Sequence, residues 1–378
     1  MIRTLFVFGT RPEAIKMCPV VHHLRSLTEQ FDVGVCVTGQ HRALLDQVLA
    51  AFHVVPDYDL NVMTPGQTLA ESTSRILASL DPVLADHRPD LVMIQGDTTT
   101  TLAGALCAFY RRIPVGHIEA GLRTGNLEHP FPEEMNRVVA SRIATLHFAP
   151  TDGAASNLKR EGVPESQIHV TGNTGIDAIQ WVRDALEAGQ LKGGDWSNLD
   201  ASRKLIVVTA HRRESFGGGF ERICDGLLRL ARRGDVQIVY PVHRNPKVVD
   251  SVWRRLSGEP NIMLIEPLDY IPFVDLMRRS YLLLTDSGGI QEEGPSLGKP
   301  VLVMRETTER PEAVEAGGAR LVGTDPDCIY RETSALIESA ELYESMRNIK
   351  NPFGDGTASS QIAEAVLSHF EGGRAAHL

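Results

Sequence analysis

Short apolar runs, most of them ending in glycine or a polar residue, alternate along the chain with longer stretches whose apolar positions recur at helical spacing. The first run, residues 2–9 (IRTLFVFG), leads into a helical pattern from Ala14 to about Leu27, with Pro12 well placed at the helix start. Further strand-like runs follow at 31–39, 91–97, 114–121, 146–150 and 169–173, with helices expected at about 42–52 and 67–86. After a polar, glycine-rich stretch at 189–203 the alternation starts again, with runs at 204–211, 237–243, 262–267, 281–287, 300–305 and 319–323. Strands that alternate with helices in this way build parallel sheets covered on both faces. The pattern predicts an α/β protein with two Rossmann-like, doubly wound domains. Residues 1–171 form the N-terminal domain and 172–356 the C-terminal one, with a crossing helix at 174–188. A last helix within 357–378 is placed to pack back on the first domain.

Composition narrows the classes. A chain of 378 residues with 42% hydrophobic content can bury two full cores. A formal charge of −10, from 38 basic and 48 acidic residues, argues against nucleic acid or a membrane surface as partner. Cys18, Cys36, Cys107, Cys224 and Cys328 are far apart and form no C-x-x-C pair, so neither zinc nor a disulfide framework is suggested, and a reduced, cytoplasmic setting fits. No apolar stretch reaches bilayer length. The first turn lacks the G-x-G-x-x-G spacing of a dinucleotide site, and G-x-x-x-x-G-K-[ST] is absent. Neither a nicotinamide cofactor nor ATP hydrolysis is expected.

Candidate chemistry gathers where apolar runs stop. In residues 281–312 a strand gives way to Ser287-Gly288-Gly289, then a helix and a second strand. Such a turn brings backbone N–H groups and a helix N-terminus to an anion, although it also serves as a plain tight connection. Glu292 and Glu293, expected in the helix's first turn, would suit ribose hydroxyls or simply the helix dipole, and Arg310 would suit phosphate. Other strand ends carry Arg11 and Lys16, Asp97, His117 with Glu119, His211-Arg212-Arg213-Glu214, and His243. Glu133 and Arg137 share a helix face and would form an ordinary ion pair or join a site. Asp97 would cap the helix at Thr98 or act as an acid or base, and carboxylates 97, 119 and 133 together would raise one another's pKa.

Several segments in order carry a resemblance: FGTRPEAIK, QGDTTTTLA, PVGHIEAGLRTG, FPEEMNR, TGNTGIDA, TAHRRESFG, YPVHRNP, TDSGGIQEEGPSLGKPVLVMRETTERPE and NPFGDG. Together they resemble the non-hydrolysing UDP-N-acetylglucosamine 2-epimerases of bacteria over nearly the whole chain. The resemblance implies a glycosyltransferase-B-type fold with an interdomain cleft, a homodimer, and interconversion of UDP-N-acetylglucosamine and UDP-N-acetylmannosamine for envelope polysaccharide, with no NAD or metal cofactor. By motif it implies that Arg11, Lys16, Asp97, Glu119, His211, Phe273, Ser287, Gly288, Gly289, Glu293 and Arg310 contact substrate or UDP. Asp97, Glu119, Glu133 and His211 would be catalytic, with Arg137 in support. Gln40 and His41 match positions tied in some relatives to activation by a second substrate molecule, whereas Ala43 and Gly66 stand where some carry glutamine and arginine. Leu268 stands where certain members carry a glutamine near the uracil.

The implied chemistry is elimination of UDP to 2-acetamidoglucal, with loss of the carbon 2 proton, then re-addition with protonation of the opposite face. Rival expectations are a hydrolysing epimerase that releases UDP and N-acetylmannosamine, a glycosyltransferase of the same fold, and a nucleotide-sugar sensor without turnover.

Overall fold

The computed structural model describes residues 1–39, 42–64, 66–212 and 218–375. The chain divides into two compact units, Met1–Ala178 with Phe353–Leu378, and Ile179–Pro352.

The first unit opens with β1 (Ile2–Phe8), α1 (Arg11–Ser26), β2 (Phe31–Val37), α2 (Arg42–Ala51), β3 (Tyr58–Asp59) and α3 (Leu69–His87). It continues through β4 (Leu91–Gln95), α4 (Thr99–Tyr110), β5 (Val115–Ile118), α5 (Glu133–Ile143), β6 (Leu146–Ala149), α6 (Asp152–Arg160) and β7 (Ile168–Val170). The strands pair in parallel in the order β3-β2-β1-β4-β5-β6-β7. The two-residue β3 was not legible as a strand, because an edge strand of that length needs no apolar run. One core face packs Leu5, Val7, Val92 and Ile94 against Leu80, Leu84, Ala105 and Ala108 of α3 and α4. The unit boundary falls inside α7 (Thr174–Glu187), later than residue 171.

The second unit contains β8 (Lys204–Thr209), α8 (Gly219–Ala231), β9 (Val236–Pro241), α9 (Pro246–Leu256), β10 (Ile262–Ile265) and α10 (Tyr270–Arg279). β11 (Leu282–Thr285), α11 (Gly288–Ser296), β12 (Val301–Val303), α12 (Pro311–Glu315), β13 (Ala319–Leu321), α13 (Pro326–Glu338) and α14 (Ala340–Arg347) complete it. Its parallel order is β10-β9-β8-β11-β12-β13. α8 presents Phe220, Ile223, Leu227 and Leu230 to Ile206, Val208 and Leu284 of the sheet, an amphipathic helix burying one stripe. α15 (Ala358–Ala375) belongs to the first unit and packs on α1, where Ile362 and Val366 are buried. The bonds that tie the returning segment there include Asn173 N–H to the Phe353 carbonyl at 2.7 Å and Ser359 N–H to Asp177 at 2.7 Å.

In both sheets the strand order reverses once, between β1 and β4 and between β8 and β11. Loops leaving the two strands at a reversal diverge to opposite faces, opening a crevice beyond their carboxyl ends. Among the described residues, no helix is long and apolar enough to cross a membrane.

Candidate active site

In the first unit, the crevice is built from the turns after β1, β4 and β5. Thr10 caps α1 and Glu13 answers in a capping box, as Thr10-x-x-Glu13 signals in sequence. Glu13 does more than cap. One carboxylate oxygen accepts from the N–H of Gly9 at 3.0 Å and of Thr10 at 2.7 Å, and the other from the Thr98 hydroxyl at 2.6 Å, joining the β1 turn to the β4 turn. Burial pushes the Glu13 pKa up, and those hydrogen bonds oppose the rise. Gly9 has no room for a side chain, since a Cβ would lie 2.0 Å from the Thr38 hydroxyl oxygen.

One turn along α1, Lys16 pairs with Glu119, which also accepts from the Gln95 amide. Glu119 holds a left-handed backbone with φ at +63°. That conformation costs a non-glycine residue on the order of 1 kcal/mol, and such strain clusters at functional sites. Beneath the turn, the buried His117 donates from Nε2 to the Gly96 carbonyl at 2.7 Å.

Asp97 does not cap α4. Thr98 does, accepting from Thr101 N–H at 3.2 Å, which releases the Asp97 carboxylate to pair with Arg137 of α5. Burial raises the Asp97 pKa, Arg137 opposes the rise and the nearby Glu119 charge reinforces it. The expected partnership of Glu133 with Arg137 is not formed: Arg137 lies 3.4 Å from the buried Glu134, which accepts from Thr124 and Gly125 N–H groups at 2.9 and 3.0 Å. Glu133, half-buried at the start of α5, makes no side-chain hydrogen bond or ion pair among the described residues. Arg11 likewise makes none from the first turn of α1.

In the second unit the corresponding crevice lies between β8 and β11. Asp286, fully buried, accepts from the N–H groups of His211 and Arg212 at 2.7 Å each with one oxygen, and its other oxygen stands 3.4 Å from His211 Nδ1. The His211 ring stacks on His243 with centroids 5.3 Å apart. Burial lowers the His211 pKa, Asp286 pulls it back up, and His243 and Arg212 push it down.

Ser287 precedes α11, with Gly288 and Gly289 in its first turn. The point where a Gly288 Cβ would sit is 3.8 Å from both the Arg212 and Arg310 guanidiniums, so two cations flank the helix N-terminus. Glu292 and Glu293 lie beyond the first turn, because α11 begins at Gly288. Glu292 is buried and pairs with Arg310, which fixes the guanidinium rather than offering a carboxylate to ribose. Glu293 reaches toward Gly289, its Oε1 4.0 Å from the Cβ position there. Phe273 is half-buried on α10. Gln40, His41, Arg213 and Glu214 fall outside the described residues.

The first crevice thus offers two carboxylates, each held by a cation, and the second a cationic helix start beside a histidine–aspartate pair. Residues 25–367 match the family described as UDP-N-acetylglucosamine 2-epimerase. The chain belongs to that family. Its similarity to the UDP-N-acetylglucosamine 2-epimerase of Escherichia coli (strain K12) is 56% identity over 373 residues, 97% of this chain and 99% of the relative. The Bacillus subtilis (strain 168) protein of that name is 50% identical over 371 residues, 98% of this chain and 96% of the other. The fold matches the crystal structure of UDP-GlcNAc 2-epimerase from Neisseria meningitidis bound to UDP-GlcNAc, with a TM-score of 0.86 and 49% identity, covering 97% of this chain and all of that one. For this 2-epimerase family member, sequence reasoning missed Glu13, Glu134 and Asp286 as parts of the candidate site. Glu13 was the one with a sequence signal, its capping-box spacing.

Proposed function

We propose that this chain interconverts UDP-N-acetylglucosamine and UDP-N-acetylmannosamine and keeps UDP through the cycle. The observation that carries this reading is the crevice pairing of Asp97, whose pKa is raised, with Glu119, each beside its own cation. The nucleotide sugar bound to the Neisseria meningitidis relative supports the substrate class.

The hydrogen on carbon 2 is not adjacent to a carbonyl, so its direct removal is slow. Breaking the bond from carbon 1 to the UDP oxygen sends an electron pair to the diphosphate and leaves positive charge at carbon 1, which acidifies that hydrogen. A carboxylate then takes the proton, a double bond forms between carbons 1 and 2, and 2-acetamidoglucal remains beside UDP. Return of UDP to carbon 1, with a proton delivered to the other face of carbon 2, gives the epimer. Two faces require two proton carriers. Asp97 and Glu119 are assigned to them, with Glu133 near the start of α5 as a further candidate. The α11 N-terminus, Arg212 and Arg310 stabilise the departing diphosphate, where one well-placed donor is worth roughly 3 kcal/mol. His211, steadied by Asp286, is assigned to the same leaving group. The proposed steps move only protons and the diphosphate and oxidise the sugar at no stage, so they call for no NAD, and we propose that no metal takes part. We assign the protein to the cytoplasm as a homodimer, its dimerisation readable by sedimentation.

Proton NMR in deuterated water with UDP-N-acetylglucosamine tests the proposal. Deuterium at carbon 2 in both nucleotide sugars is the expected result. Accumulation of free UDP and N-acetylmannosamine would establish the hydrolysing reaction instead, and unchanged substrate would refute epimerisation. Asp97→Asn and Glu119→Gln should each lower turnover by about 10²–10⁴-fold while calorimetric UDP affinity stays near wild type. Near-normal turnover in either would remove that residue from proton transfer.

A further inference from the structure

We infer that the base of the second unit holds a second anion site, shaped for a small phosphorylated molecule that carries a ring. It lies at the amino ends of β8, β9, β11 and β12, beside α14, and is lined by Lys204, Gln237, Tyr281, Lys299, Tyr343 and Arg347 among others. The candidate active-site residues of this unit stand at the carboxyl ends of the same strands. β8 alone spans roughly 20 Å, so the two sites are distinct.

Charge is the first argument. The chain as a whole carries −10, yet among the described residues this cavity is lined by Arg203, Lys204, Arg279, Lys299 and Arg347 against one carboxylate, Asp200. Three of these cations have acidic partners: Arg203 with Asp200 at 3.1 Å, Arg279 with Asp275 at 3.0 Å, and Arg347 with Glu344 at 3.1 Å. Of the two lysines, Lys204 feels the charge of Asp235, and Lys299 has no acidic partner among the described residues. Lys204 donates to the Ile337 carbonyl at 2.6 Å and lies 4.8 Å from the Tyr281 ring centre. Lys299 makes no side-chain hydrogen bond or ion pair among the described residues. Burial pushes its pKa down to about 8, and Arg347 and Arg278 add to the shift. A half-buried ammonium facing two guanidiniums is costly without an anion, and a phosphoryl group would offset that cost directly.

Shape is the second argument. The cavity measures ≈ 720 Å³, within the usual range for small-molecule pockets of about 300–1,000 Å³. Tyr281 and Tyr343 stack with centroids 4.1 Å apart, and Trp196 also lines the cavity. Both phenols spend their hydroxyls internally, Tyr281 on the Leu336 carbonyl at 3.1 Å and Tyr343 on the Tyr281 carbonyl at 3.0 Å. With the Tyr281 faces taken by Tyr343 and Lys204, the tyrosines border the cavity with apolar ring edges beside Trp196, a lining suited to a ring attached to the phosphate.

Lysine-labelled protein, observed by carbon NMR at the ε position, tests the site with inorganic pyrophosphate and glucose 6-phosphate as probes. Lys299→Arg assigns the resonance. An Arg310→Ala background disables the other phosphate seat. Saturable movement of the Lys299 signal and a rise of its pKa above about 8 are expected with both probes, the sugar phosphate also perturbing the Tyr281 and Tyr343 rings. Calorimetric affinity should fall on the order of tenfold or more in Lys299→Met and be restored in Lys299→Arg. An unmoved Lys299 signal, movement equalled by chloride, or affinity unchanged in Lys299→Met would each overturn the proposal.

Discussion

His117 makes the acid stability of the first unit a sharp test. Its ring is fully buried, Nε2 is committed to the Gly96 carbonyl, and Nδ1 faces no hydrogen-bond partner among the described residues. Protonation would place an N–H on Nδ1 with nothing to receive it. Burial accordingly pushes the pKa from 6.5 down to about 4, and His147 and Arg123 also lower it. The unfolded chain therefore binds a proton that the folded unit refuses, so stability is complete above about pH 6.5 and is lost as the pH falls toward about 4. The full gap is worth about 3 kcal/mol, of which about 2 kcal/mol is gone by about pH 5. Trp181, Trp196 and Trp253 all lie in the second unit, so tryptophan fluorescence does not report on this one. Hydrogen exchange of the β4 and β5 amides, corrected for intrinsic rates, does. Their opening free energy should fall by about 2 kcal/mol between neutral pH and about pH 5, and His117→Asn should lose that part of the slope. His22, His147 and His169, also lowered by burial, add slopes of the same sign that survive in the variant, so the difference between wild type and variant isolates His117. Protection independent of pH, or an equal slope in the variant, would refute the reasoning.

Three further outcomes follow from the two crevices. Asp286→Asn keeps an acceptor for the His211 and Arg212 N–H groups but turns an amide N–H toward His211 Nδ1; turnover should fall by about 10²–10⁴-fold with UDP affinity retained, and the His211 pKa should drop further by histidine NMR. Unchanged turnover would leave Asp286 a purely structural anchor. Arg310→Met should weaken UDP binding on the order of tenfold to a hundredfold by calorimetry, and unchanged affinity would remove Arg310 from the phosphate seat. Gly9→Ala forces a Cβ to 2.0 Å from the Thr38 hydroxyl oxygen and should cost about 1–3 kcal/mol, read as a lowered Tm; an unchanged Tm would show that the turn can shift without penalty.

Much of the fold is legible in the sequence because strands buried on both faces must be apolar throughout, and such runs stand out from amphipathic helices. The candidate site was legible only where a residue's position along the chain decides its neighbours, as for Ser287, Gly288 and Gly289 at a helix start. Pairing was not. Glu133 and Glu134 are adjacent, and both lie at helical reach of Arg137. Where the helix begins decides between them: α5 starts at Glu133, and Glu134 is the one that turns inward to the Thr124 and Gly125 N–H groups and stays buried beside Arg137. Asp97 shows the same limit. Spacing allowed it to cap α4, and only the start of that helix at Thr99 gives the cap to Thr98 and the carboxylate to Arg137.

The two missed carboxylates at the strand reversals reveal a device that neither half of the sequence announces. Glu13 receives the successive N–H groups of Gly9 and Thr10, and Asp286 those of His211 and Arg212. Each lies at a crevice where the sheet order reverses, and each links the turn after one central strand to the turn after the other: Glu13 through Thr98, Asp286 by its own place after β11. A buried carboxylate that accepts two backbone N–H groups resists any movement that would strand it unpaired, since losing such a partner costs several kcal/mol. The turns that carry Asp97, His211 and the α11 start, and the helix α1 that carries Lys16, are thereby held in place, and on the proposed reading stabilisation of a departing diphosphate needs donors that do not have to reorganise. Glu13→Gln keeps one acceptor oxygen and puts a donor where the other was, against Thr98 or the Gly9 and Thr10 N–H groups. Loss of turnover there, with UDP affinity preserved, would tie this buried strut to catalysis rather than to binding.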